Sequence, residues 1–379
     1  MLLTWAKRIV FMYLCFCSIN GHTKILENNQ DKLVDYTYQG ELSTDMARLA
    51  LKKAPPLDTL DALYALDIYS IRYKTITPDR KITIASGLVA MPIAAQGIVG
   101  IISYQHGTRF TRDDVPSRHS EKNYVTLAAF SSHGGYMTVM PGYLGLGDNE
   151  LPLHPYVQSD TLASSSVDML LAAKALAARL NYPLNDRLYL TGYSEGGFST
   201  LVMFELLAQN YKDIPITAVA LGSAPYDWEE MIRFILLEPD PHATAYFLYS
   251  LHYYKHYWSS LDEIFVPPYN TMVTVLFDGK HSSKDILKAL PQVPEKILQP
   301  YFFNAILNQT EANSEKLKLF FNRYSFIPTA PLLLIGTKGD KDVPYHGSEI
   351  AYESFSKLSD FVSIKSVSDQ LDHGEAASI

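Results

Sequence analysis

The stretch "LYLTGYSEGGFSTLVMF", residues 188–204, constrains this chain more than any other. It joins a run of bulky, branched apolar residues to a run with helical apolar spacing, and sets Ser194 among Gly192, Gly196 and Gly197 at the junction. A helix that begins directly after a strand needs a tight turn. The residue at the apex is held in a strained backbone conformation and projects outward, and small residues two before and two after let the turn close. The helix that follows aims its first N–H groups at the apex. The pattern predicts a strand over 187–193, a helix over 196–210, and Ser194 presented as a nucleophile, with the N–H of Glu195 placed to stabilise an oxyanion. The competing explanation is a structural glycine turn with an incidental serine.

The rest of the chain alternates in the same way. "GIVGIISYQ" (97–105) is a nearly continuous apolar run of the kind found in buried parallel strands, and "YMTVMPGY" (136–143) is another. Further strands are predicted over 216–223, 331–337 and 361–367, and a pair around the Pro78–Asp79 turn. Helices are expected over 122–132, 159–181 and 347–357; the second puts Ala163, Val167, Leu170, Leu171, Ala175 and Ala178 on one face. Such alternation implies an α/β fold with a mostly parallel central sheet flanked by helices. Residues 22–224 and 327–379 form the core in this reading, and 225–326 interrupt it as a mainly helical inserted cap. Nine aromatics fall within 243–269, enough to line an apolar pocket or to pack the cap's own core.

Composition narrows the classes. The net charge of −8 and the lack of any long basic run argue against nucleic acid as a partner. Residues 1–21 read as a signal peptide: Lys7 and Arg8 precede an apolar stretch, Ile9 to Ile19, that is too short to span a bilayer, so the expected location is secreted, extracellular or periplasmic. An uncleaved anchor is the alternative. Both cysteines, Cys15 and Cys17, lie in that segment, so a cleaved chain has no disulfide, cysteine nucleophile or zinc–thiolate site. Gly142, Gly145 and Gly147 are wrongly spaced for a dinucleotide loop, and no metal-ligand cluster stands out.

A serine hydroxyl needs a base, and the base needs an orienting carboxylate. His106 and His133 precede Ser194, and His242, His252 and His256 fall in the insertion. His346 stands six residues past Asp340, at a helix start. His373 follows the last strand, where a short loop can reach back to Ser194, and is the preferred base. Its rivals are His346 and a role for His373 as a solvated tail residue. Asp340 and Asp342 both follow the strand over 331–337; the aspartate not used would pair with Lys338 or Lys341 at the surface.

With these residues in view, the chain resembles the α/β-hydrolase family, in particular the secreted lipases and esterases related to Candida lipase A. "SYQHGT" (103–108) is similar to the family's oxyanion loop, "MPGYLGLGD" (140–148) to a segment after the next strand, and "GTKGDKDVPYHGSE" (336–349) to the loop bearing the acid. The likeness covers roughly 68–224 and 327–379. It implies the order serine, acid, histidine. It places the acid four residues before Pro344, at Asp340, with Asp342 still open, and the second oxyanion donor at the N–H of Thr108. It also implies cleavage of carboxylic esters without a cofactor, ester or lipid substrates, transient lipid contact through the cap, and no obligate protein partner. A serine peptidase on the same fold and a catalytically silent binding module remain as alternatives.

Overall fold

The computed structural model describes residues 32–93, 99–118, 120–308 and 326–377. The proposed signal segment lies outside these residues. Nine strands form one sheet in the order β1-β2-β3-β5-β4-β6-β7-β8-β9. β1 (Leu33–Leu42), β2 (Leu66–Ile76), β3 (Ile82–Pro92) and β5 (Met137–Pro141) pair antiparallel. From β5 onward the pairing is parallel through β4 (Val99–Gln105), β6 (Leu184–Tyr193), β7 (Ala218–Gly222), β8 (Leu332–Gly336) and β9 (Val362–Ser366). The mostly parallel sheet is therefore present. β1 and the helix α1 (Thr44–Lys52) after it fall in a polar stretch whose sequence carries no clear apolar alternation.

Three elements differ from the sequence reading. The helix expected over 122–132 is a composite: a 3₁₀ turn, the short α2 (Tyr124–Leu127), and a π-helical turn at Ala128–His133. β6 begins three residues earlier than expected. The helix α3 (Ser159–Arg179) is buried nearly all round rather than along one face, and Ser164, Ser165 and Ser166 are inside with Leu170 and Leu171. It packs on β1, β2, β3 and β5 and against α4 (Glu195–Asn210), which itself packs on β4, β6 and β7, so small residues are needed on the side where the two helices meet; the Ser166 and Ser199 hydroxyls are 3.1 Å apart there.

Between β7 and β8 the described chain runs through α5 (Trp228–Leu237), α6 (Pro241–Tyr253), α7 (Tyr269–Leu276), α8 (Ser283–Ala289) and α9 (Pro300–Leu307). Their starts are marked locally: Asp227 caps α5, Asp240 caps α6 ahead of Pro241, and Ser282 and Asp285 form a capping box on α8. Most of the aromatics in this insertion serve packing. Phe247 and Phe265 are fully buried, Trp258 meets Phe302 edge-on at 5.7 Å, and Tyr246, Tyr249 and Phe277 surround Phe110 of the core at 5.7, 5.2 and 5.8 Å. Rings at such separations add to the stability from area burial alone.

Candidate active site

β6 ends at Tyr193 and α4 begins at Glu195, so Ser194 alone makes the turn. Its φ of 60° and ψ of −126° are strained for a residue with a side chain. The glycines explain why the turn can close. A Cβ on Gly192 would lie 2.3 Å from the Gly196 carbonyl oxygen, and one on Gly196 would lie 2.0 Å from that of Gln105. The Ser194 N–H donates to the Gly222 carbonyl at 2.8 Å, tying the apex to the end of β7.

β4 delivers His106, Gly107 and Thr108 beside that apex. A Cβ on Gly107 would sit 3.6 Å from Ser194 Cβ, so this loop lies directly against the serine. His106 Nδ1 donates to the Gly107 carbonyl at 2.8 Å, and burial pushes its pKa down to about 3, leaving the ring neutral. His106 thus shapes the loop. Among the described residues, neither the Glu195 N–H nor the Thr108 N–H has an acceptor within the chain, which leaves both open to an oxyanion.

The loop after β8 and the segment after β9 bring Asp340 and His373, the expected acid and base, together. His373 Nδ1 donates to Asp340 Oδ2 at 2.7 Å, and both groups are buried. The other Asp340 oxygen accepts from the N–H groups of Asp342 and Val343 at 3.0 and 2.8 Å, which fixes the carboxylate. His373 is held against the end of β6 by Tyr193, whose hydroxyl donates to the His373 carbonyl at 2.6 Å. Burial depresses the His373 pKa, but the hydrogen bond and charge of Asp340, helped by Asp342 and Asp372, raise it above the ordinary value. Rather than lying in a loop, His373 opens the short helix α11 (His373–Ala376), and Asp372 caps that helix. His346 lies in the first turn of α10 (Tyr345–Ser356) and pairs with Glu349 at the surface.

Asp342 does not pair with a lysine at the surface. It is mostly buried against Asp240 of the insertion; burial, then the Asp240 charge, raise its pKa to about 7 against an opposing pull from His373. Lys338 pairs with Asp369 instead. Asp240, His242 and Asp342 bring their ligand-type atoms within 4.8 Å of one another, a grouping across a hundred residues that spacing cannot reveal. Sequence reasoning also passes over His154. Its Nε2 lies 2.8 Å from Glu195 Oε1, and both side chains are buried. "LPLHPY" carries no motif, and only the fold brings it to the elbow.

Comparison with known proteins places this geometry. No protein-family model matches the chain, and no curated protein matches it. A candidate hydrolase of Legionella pneumophila is similar at 65% identity and a TM-score of 0.89, over 92% of this chain and 94% of its own. The rice cell wall degrading esterase LipA of Xanthomonas oryzae shares the fold at a TM-score of 0.81 and 23% identity, over 92% of this chain and 94% of its own. Candida antarctica lipase A in its closed state shares it at 0.67 and 14%, over 92% and 79%. With its strand-end serine, its buried acid–histidine pair and a relative this similar along nearly its whole length, the chain belongs to the α/β-hydrolases, in the fold group that holds LipA and Candida lipase A.

Proposed function

We propose that the protein hydrolyses carboxylic esters through an acyl-enzyme on Ser194. The observation that carries this reading is the 2.7 Å His373–Asp340 bond anchored on Tyr193, the residue before a serine forced to the apex of a strand–helix turn. In the proposed reaction Asp340 holds the Nδ1–H, so Nε2 takes the Ser194 proton as Oγ attacks the ester carbonyl. The N–H groups of Glu195 and Thr108 receive the oxyanion. The tetrahedral intermediate collapses, and the alcohol leaves with the proton from His373. Water then repeats the steps and releases the acid. All groups needed belong to the chain, so no cofactor enters the scheme. The fold shared with an esterase and a lipase supports esters as the substrate class.

The insertion forms a cap in this proposal and meets lipid surfaces transiently; Leu237, Val275 and Tyr301 on it are exposed. Residues 1–21 act as the export signal, which intact-mass analysis of secreted protein tests. One observation favours a second reading, a peptidase that holds a substrate amine: the Asp240–Asp342 pair borders the His373 environment. p-Nitrophenyl esters of C2 to C12 acids, assayed beside amino-acid p-nitroanilides, decide between the two. Turnover of the anilides alone would overturn the ester assignment.

A further inference from the structure

The loop after β5 touches both groups assigned to the oxyanion. His154 Nδ1 lies 2.8 Å from the Leu144 carbonyl, which can only accept, so Nδ1 carries a proton. Its Nε2 lies 2.8 Å from Glu195 Oε1, and that contact requires a second proton. Whichever partner holds it, the pair is net neutral. The Val157 N–H also reaches Glu195 Oε1, at 3.4 Å. Val157 is β-branched yet has a φ of 50°, a strain that persists only where the surroundings impose it. Between them, the Tyr156 hydroxyl lies 3.1 Å from the Thr108 hydroxyl. Three residues of a four-residue run therefore grip the residue on each side of the oxyanion position.

We propose that His154, Tyr156 and Val157 are positioning residues that hold the two oxyanion N–H donors in place, and that His154 also cancels the Glu195 charge next to the developing oxyanion. This rests on the Ser194 reading above. A bare carboxylate one residue from the nucleophile would oppose negative charge in the transition state, because a buried site screens it poorly. Glu195 Oε2 is buried with no hydrogen-bond partner, so apart from the long Val157 N–H contact at Oε1 only His154 compensates that charge among the described residues.

The test is a cycle in the full chain. His154→Gln keeps a donor for Glu195 but removes the compensating proton. It should lower kcat roughly 10–100-fold with KM within about twofold, approaching the loss of one oxyanion donor. Glu195→Gln removes the charge while keeping the side-chain shape and the backbone N–H, and serves as the charge-free arm of the cycle. The double variant should recover most of the His154→Gln loss, because no carboxylate is left to compensate. Tyr156→Phe should lower kcat about 3–10-fold at unchanged KM, as the Thr108 loop loosens. A folded His154→Gln with wild-type kcat, or a double variant no better than His154→Gln, overturns the charge role. If His154→Gln does not fold, a folded Glu195→Gln that loses more than about tenfold in kcat overturns it instead, since the charge would then be required. Unchanged kcat in Tyr156→Phe overturns the grip on Thr108. A fluorophosphonate probe reports on Ser194 separately: wild-type protein that fails to label there sinks the nucleophile reading and not the clamp alone.

Discussion

Two buried imidazole–carboxylate pairs flank Ser194, and they are almost the same length. His373 meets Asp340 at 2.7 Å and His154 meets Glu195 at 2.8 Å. They differ in the second ring nitrogen. His154 spends Nδ1 on the Leu144 carbonyl and Nε2 on Glu195, so neither is left to exchange a proton with a substrate. His373 spends Nδ1 on Asp340, and its Nε2 makes no hydrogen bond among the described residues. The carboxylates differ too. Asp340 has both oxygens fixed, one by His373 and one by two backbone N–H groups, whereas Glu195 leaves Oε2 unpaired. The lesson is that an acid–histidine pair is a catalyst or a strut according to the valence it leaves open, not according to its distance.

The strongest way to break the comparison is to disable each side in turn. Ser194→Ala should abolish ester hydrolysis in a folded protein, and retention of more than about a tenth of the activity would refute the nucleophile, since losing a triad serine costs many decades. Asp340→Asn should lower kcat about 10⁴-fold, because the imidazole loses its tautomer. Asp342→Asn should cost under about tenfold, as that carboxylate faces Asp240 and not the His373 Nδ1. Steady-state kinetics on one p-nitrophenyl ester suffice, and a larger loss in Asp342→Asn would exchange the two roles.

The pH profile sharpens the contrast. In the proposed reaction His373 must be neutral to act as the base, and its surroundings raise its pKa, so the acidic limb of kcat/KM should fall above the ordinary histidine value of 6.5. A limb below that value would mean that burial outweighs Asp340. Stability gives a smaller effect of known sign. The Asp342 pKa is raised in the fold from 3.8 to about 7, so the stability it contributes is present below pH 3.8 and lost as pH rises through 7. Asp342→Asn should therefore raise Tm by a few degrees at pH 8 and barely change it at pH 4. Equal shifts at both would place the effect elsewhere. The least effect on chemistry belongs to the insertion. Trp258 is 6% exposed and packs on Phe302, so Trp258→Ala should cost about 3–5 kcal/mol of stability while the slope of kcat/KM with acyl length stays unchanged. A flattened slope would give that ring a substrate role.

What the sequence determined by itself is local. Gly192, Ser194 and Gly196 lie within five residues, so a single turn both requires them and identifies them, and apolar runs of strand length announce β4, β6, β7 and β8. Likewise Val343–Pro344 follows Asp340 closely enough for a family pattern to single it out. The elements read least well were those whose environment is not periodic: β1 in a polar stretch, the π turn after α2, and an α3 buried nearly all round. Tertiary structure alone decided the partners of buried polar groups. A buried charge must find a counter-group wherever the fold supplies one. Glu195 finds it 41 residues back at His154, whereas Asp342 is set against Asp240 of the insertion, a like charge that helps keep it protonated. Nothing in the residues next to either carboxylate specifies that choice, because the energy of desolvation arises only once the chain has closed around them.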